Sequence, residues 1–185
     1  MALVFNEKKT TQAAARFLQL ANGSMNYMSL IKHLYMLDRA ALLRWGRLVT
    51  CDRFFEMKLG PVLSKVDNLI TEMSTADESV FWTRFISAPS DWSVRLLGDP
   101  GEDELSDAEE ELIEEIHALY GHYDRFELAD LLHRILPELK GVTHGRIRIG
   151  IGDILRAENK SEEEIESIER EIESLGQLDA LFLAH

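Results

Sequence analysis

At 185 residues, with 45% hydrophobic and 29% charged side chains, the chain is long enough to bury a core without a metal or disulfide staple. Its one cysteine, Cys51, excludes an intrachain disulfide and points to a reducing compartment. Charges interrupt every apolar stretch of membrane-spanning length, and Met1 to Asn6 lack the basic-then-apolar order of a signal peptide, so the expected setting is cytoplasmic, with no membrane partner.

The net charge of −13 is concentrated. Between Glu102 and Glu115 stand nine acids and no base, and between Glu162 and Glu173 seven acids and one base, Arg170. Residues 1–65 carry ten bases against Glu7, Asp38, Asp52 and Glu56. Acidic helices repel phosphate and attract basic protein surfaces, or simply keep a helix soluble.

In chain order, Lys8 to Ala21 holds good helix formers, with Ala13, Ala14, Phe17, Leu18 and Ala21 at helical spacing before Gly23. A second helix is predicted from Tyr27 to Trp45, with Gly46 as its stop. Phe54 to Leu59 reads as a short strand bounded by Gly60-Pro61, and Val94 to Leu97 as its partner. Pro61 suits the first position of a helix, whose stripe is Val62, Val66, Leu69, Ile70 and Met73. Ser106 with Glu109 forms a capping box ahead of Leu112, Ile116, Leu119 and Tyr120. Asp124 with Glu127 opens another helix, which Pro137 stops, and Ser161 with Glu164 opens a third. The glycine-punctuated run Gly141 to Gly152 reads as a loop. The expected architecture is mainly α: a compact helical domain with a small antiparallel hairpin or sheet, over residues 1–140, and acidic C-terminal helices at 141–185 packed on the same globule.

The run Leu30-Ile31-Lys32-His33-Leu34-Tyr35-Met36-Leu37-Asp38-Arg39 resembles the signature helix of the Panacea family, also described as SocA-like or phage-associated GepA-like antitoxins. Gly46 to Phe54, then Met57-Lys58-Leu59-Gly60-Pro61-Val62, continue the pattern in order, and Leu105 to Glu109 with Tyr120-Gly121 resemble its later segment. His33 departs from it, standing where an aliphatic residue is expected. The resemblance spans roughly residues 10–140. It implies a helical domain with a small sheet, acting as the antitoxin of a two-gene pair and binding a cognate toxin protein.

Five residues of these motifs are candidates for structural or partner-binding roles: Lys32, Tyr35, Asp38, Gly60 and Pro61. At 100° per residue Asp38 lies on the face of Leu30, Ile31, Leu34, Ala41, Leu42 and Trp45. A carboxylate there must find donors, such as backbone amides near the Gly60-Pro61 turn, or else serve a partner. Tyr35 borders the same face, while Lys32 projects away from it, toward water or a partner. Gly60 and Pro61 shape a sharp strand-to-helix turn.

Nothing in the sequence supports an enzyme, a metal or another cofactor. The histidines at 33, 117, 122, 133, 144 and 185 form no i, i+4 ligand pair, Cys51 has no partner nearby in sequence, and no phosphate-cradling loop is present. The apolar tail Leu178, Leu181, Phe182 and Leu183 suits core capping, a homodimer contact or a toxin contact. The alternative function is a nucleic-acid-binding regulator of a mobile element or of its own operon, resting on the basic front and a helix–turn–helix-like run from Gln12 to Trp45. Dispersed bases and an acidic whole disfavour nucleic acid.

Overall fold

A computed structural model describes residues 4–72 and 81–183, with side chains as far as 178. Helix α1 (Glu7–Leu20) begins at Asn6, whose side chain caps the Lys9 N–H. Strand β1 (Ser24–Asn26) leads into α2 (Tyr27–Trp45), which ends on Gly46 in the left-handed conformation, φ 66°. Strands β2 (Phe54–Met57) and β3 (Gly60–Leu63) form a hairpin, followed by α3 (Ser64–Thr71). After the short α4 (Phe81–Phe85) and β4 (Ser93–Arg95) come α5 (Asp107–Tyr120) and α6 (Arg125–Ile135). Strand β5 (Ile147–Ile149), α7 (Ile151–Ala157) and α8 (Glu162–Leu183) complete the chain. The architecture is mainly α with a small antiparallel sheet, as expected.

Helix α2 is the axis of the molecule. Every residue from Ser29 to Arg39 is buried, and α1, α3, α5, α6, β1 and β3 all pack against it. A helix buried on all sides has no solvent face for polar residues, so each of its polar side chains must find a protein partner or an opening. Leu30, Leu34, Tyr35, Leu37 and Leu42 meet Phe17 and Leu18 of α1, Ile113 of α5 and Leu132 of α6 in one apolar core. Each such side chain contributes roughly 1.5–3 kcal/mol of burial energy.

The sheet differs from expectation in three places. Strand β2 pairs with β3 and β5, in the order β3-β2-β5, rather than with Val94 to Leu97. Residues Ser93–Arg95 pair instead with Ser24–Asn26. The shortest loop wins for β2: Met57 lies opposite Gly60, and closing so small a loop costs little entropy. Pro61 is therefore in a strand, opposite Glu56, and not at a helix start. As β3 is an edge strand, the missing N–H of Pro61 is tolerated, while Gly60 supplies the turn with φ 98°. The stretch Gly141 to Gly152 is not all loop: Ile147-Arg148-Ile149 pairs with Phe54–Glu56, and Ile151 begins α7.

The helix-start signals at Ser106, Asp124 and Ser161 hold. Ser106 and Glu109, and Asp124 and Glu127, exchange their reciprocal capping bonds, and Ser161 does the same with Glu164. Helix α3 has no local side-chain cap. Asp52 caps it from a distance, accepting from the N–H groups of Lys65 and Val66 at 2.8 and 3.1 Å. Met73 of the expected α3 stripe lies outside the described residues. Among those described, no helix is long and apolar enough to cross a membrane.

The acidic segment before and within α5 lies against the basic front. Lys8 pairs with Asp103, Lys9 with Glu109, Arg16 with Glu114 and Arg44 with Glu115. The exposed pairs contribute little individually, but they use the opposite charges of the two segments within the molecule. The glutamates of α8 remain mostly exposed.

Candidate functional site

Helix α2 carries five buried polar residues, and their partners sort the sequence candidates. Ser29 accepts on its carbonyl from His33, at 2.7 Å to Nδ1, which leaves the buried His33 Nε2 without a partner. Burial lowers the His33 pKa to about 4, so the ring is neutral at pH 7.

Asp38, fully buried, accepts from the backbone N–H of Val49 and of Thr50, at 2.7 and 2.9 Å, and from the Thr50 hydroxyl. The donors come from the segment just after α2, not from the Gly60-Pro61 turn. Burial pushes the Asp38 pKa up to about 6, against the pull of these three donors.

Tyr35 donates its hydroxyl to Glu138 at 2.8 Å, and Arg39 grips the same carboxylate with Nε at 2.8 Å and Nη2 at 3.2 Å. Arg39 also reaches Glu158, at the end of α7. Burial, and then the neighbouring Glu138, raise the Tyr35 pKa well above that of a free phenol. Neither Arg39 nor Glu138 stood out in the sequence. The signal available was an arginine inside a helix of otherwise apolar spacing, which must be paired when buried.

Lys32 is the main correction. It does not project to water but is 2% exposed, among the largest fully buried side chains. Among the described residues it has neither a hydrogen bond nor an ion pair. Its head lies beside Gly60, where a Cβ would stand 3.5 Å from Lys32 Cε and 3.9 Å from Nζ. It lines a pocket of about 270 Å³ with Tyr27, Met28, Met57, Leu59 and Val62. Burial lowers the Lys32 pKa to about 8. Gly60 and Pro61 thus belong to the hairpin rather than to a strand-to-helix turn, and Gly60 lines the pocket.

Beside this pocket lies an aromatic surface patch that sequence reasoning missed. Tyr27, the first residue of α2, stacks on Trp92 with centroids 6.0 Å apart and planes at 25°. Arg125 lies over Trp92 at 5.6 Å and over Phe126 at 4.7 Å. Trp92 is 58% exposed and Phe126 52%. Asp91 and Trp92 occupy successive left-handed conformations, φ 49° and 64°, between Ser90 and Ser93, which exchange both backbone hydrogen bonds. That is the geometry of a tight hairpin turn that favours glycine at its second central position. A tryptophan there is strained by about 1 kcal/mol, and its large ring faces outward. Met57 and Leu59, each about two-fifths exposed, extend the apolar surface along the hairpin tip.

Of the expected tail, Leu178 is half exposed, and the side chains of Leu181, Phe182 and Leu183 lie outside the described residues. Among the described residues no three histidine, cysteine or acidic side chains converge as a metal site would require.

No curated protein and no solved structure matches the chain. A family model does, over residues 30–135, which is more than half of the chain and runs from the buried α2 through the hairpin to the end of α6. That span contains Lys32, Tyr35, Asp38, Arg39, Gly60, Pro61 and all of the aromatic patch except Tyr27. The chain belongs to the family described as Antitoxin SocA-like, Panacea domain.

Proposed function

We propose that this protein is a non-enzymatic antitoxin that neutralises a co-encoded toxin by direct contact, and that the contact is made by the patch of Tyr27, Trp92, Arg125 and Phe126. Membership of the antitoxin-like family supports the role. The observation that carries the surface is Trp92: a large aromatic ring, more than half exposed, in a backbone conformation that favours glycine. Exposed aromatic and arginine side chains are the residue types that dominate binding energy at protein interfaces. Strain retained at a surface turn is a mark of function rather than of stability. On this reading Asp38, Tyr35 and Arg39 hold the scaffold, and residues 141–185 extend the same unit through β5 and Glu158.

Nothing favours the regulator reading to the same degree. The second helix of the Gln12–Trp45 run would have to lie in a DNA groove, and it is α2, which is buried at every residue from Ser29 to Arg39.

The test is growth on expressing each neighbouring gene with and without this protein, followed by co-purification of any rescued pair. Rescue with a stable complex that Trp92→Ala abolishes supports the proposal. Rescue without binding, or binding indifferent to Trp92, overturns it.

A further inference from the structure

We infer that the Lys32 pocket is a binding site for a monoanionic carboxylate carried on a short apolar stem. Three observations converge. Lys32 is almost completely buried and, among the described residues, has no acceptor, yet it lines an opening rather than packing into closed core. A buried ammonium without an anion is costly, so this position rewards any ligand that brings one. The rest of the lining is mostly apolar: Met28, Ile31, Met57, Leu59 and Val62. An acid entering past them buries its stem as its head reaches Lys32. The volume of about 270 Å³ lies just below that of drug-sized sites, and so fits a chain of a few carbons.

The charge balance selects a carboxylate over a phosphate. Lys32 is the one buried cation of the lining, Lys58 is exposed at the rim, and half-buried Asp67 also lines the pocket. A dianion would meet too little positive charge and the Asp67 carboxylate in the lining. Nor is the start of α2 free to bind one: Asn26 accepts from the Met28 N–H and the Trp92 carbonyl from that of Tyr27. The carboxylate has two possible sources, a free short-chain acid or the carboxyl terminus of a peptide chain.

The experiment titrates the purified full chain at pH 6.5 with hexanoate and with hexanol, and in parallel with acetyl-leucyl-leucine and its C-terminal amide. Binding is followed by calorimetry and by the NMR signals of lysine labelled at Cε. One charge-assisted contact predicts that at least one acid binds about tenfold or more tighter than its neutral counterpart, and that it shifts the Lys32 signal. Lys32→Met should remove that preference. Leu59→Trp, which narrows the mouth without touching the lysine, should weaken both acids while the fold stays intact. The tighter of the two acids identifies the source. Equal binding of acid and neutral partner, no binding of either acid, or a preference that survives Lys32→Met overturns the inference. The titration uses the protein alone, so its failure is distinguishable from a failure of toxin rescue.

Discussion

Asp38 and Thr50 form a closed clasp: one carboxylate takes both the backbone N–H and the hydroxyl of the same threonine, and the N–H of Val49 beside it. The clasp fixes the chain where it leaves α2 and turns toward β2. Asp38→Ala leaves these buried donors unsatisfied and is expected to cost about 3 kcal/mol. Asp38→Asn keeps an acceptor for the two backbone N–H groups and should cost markedly less. Thermal unfolding of the two variants checks this.

The same residue gives a pH signature. The Asp38 pKa is about 6 in the fold against 3.8 when free. A raised folded-state value means that its stabilising share is fully present below about pH 4 and is lost as pH rises through 6. The stability of wild type relative to Asp38→Asn should therefore fall by about 2–3 kcal/mol between pH 4 and pH 7. Denaturant titrations of both proteins at the two pH values measure it.

Lys32→Met should stabilise the free protein at pH 7, because a buried, unpaired ammonium is replaced by an apolar chain of similar length. The Lys32 pKa is about 8 in the fold against 10.5 when free. The unfolded chain thus binds the extra proton between those values, and wild-type stability recovers as pH rises through that window. The advantage of the methionine variant should be about 3 kcal/mol at pH 7 and shrink toward pH 10.5, as read from denaturant midpoints.

Trp92→Gly should separate stability from function. Glycine relaxes the left-handed turn, which offsets the loss of the Tyr27 stack and the Arg125 contact and should hold the stability change within about 1 kcal/mol, while the loss of the exposed ring should abolish toxin rescue. A melting temperature within a few degrees of wild type together with loss of growth rescue is the expected pair of results.

Glu138 depends on Arg39, since its side chain is fully buried. Arg39→Met should destabilise the fold by about 3–5 kcal/mol by stranding that carboxylate. Tyr35→Phe removes one donor and should cost about 1 kcal/mol. The double variant Arg39→Met with Glu138→Met should recover most of the single variant's loss, which a double-mutant cycle by thermal unfolding measures.

Helix boundaries that depend on neighbours within one turn are legible in the chain alone. Ser106 with Glu109, Asp124 with Glu127 and Ser161 with Glu164 sit three residues apart, and Gly46 follows directly on the helix that it stops, so each signal is complete in a few residues. The motif order around Lys32 and Gly60-Pro61 carried the family in the same way. The strand partners of β2 had to come from the tertiary structure: Ile147–Ile149 sits in a run whose glycines read as loop, and it becomes a strand only because the fold brings it beside Phe54–Glu56, while Ser93–Arg95 is drawn to Ser24–Asn26. The tertiary structure also decided the place of Lys32. A projection at 100° per residue assumes that a helix has an outer face, and from Ser29 to Arg39 α2 has none, because other elements enclose that stretch. The residue that spacing assigned to solvent is for that reason a buried cation at a pocket. Trp92 became conspicuous only once the turn gave its ring an exposed position, for exposure is a property of the packed molecule and not of the residue.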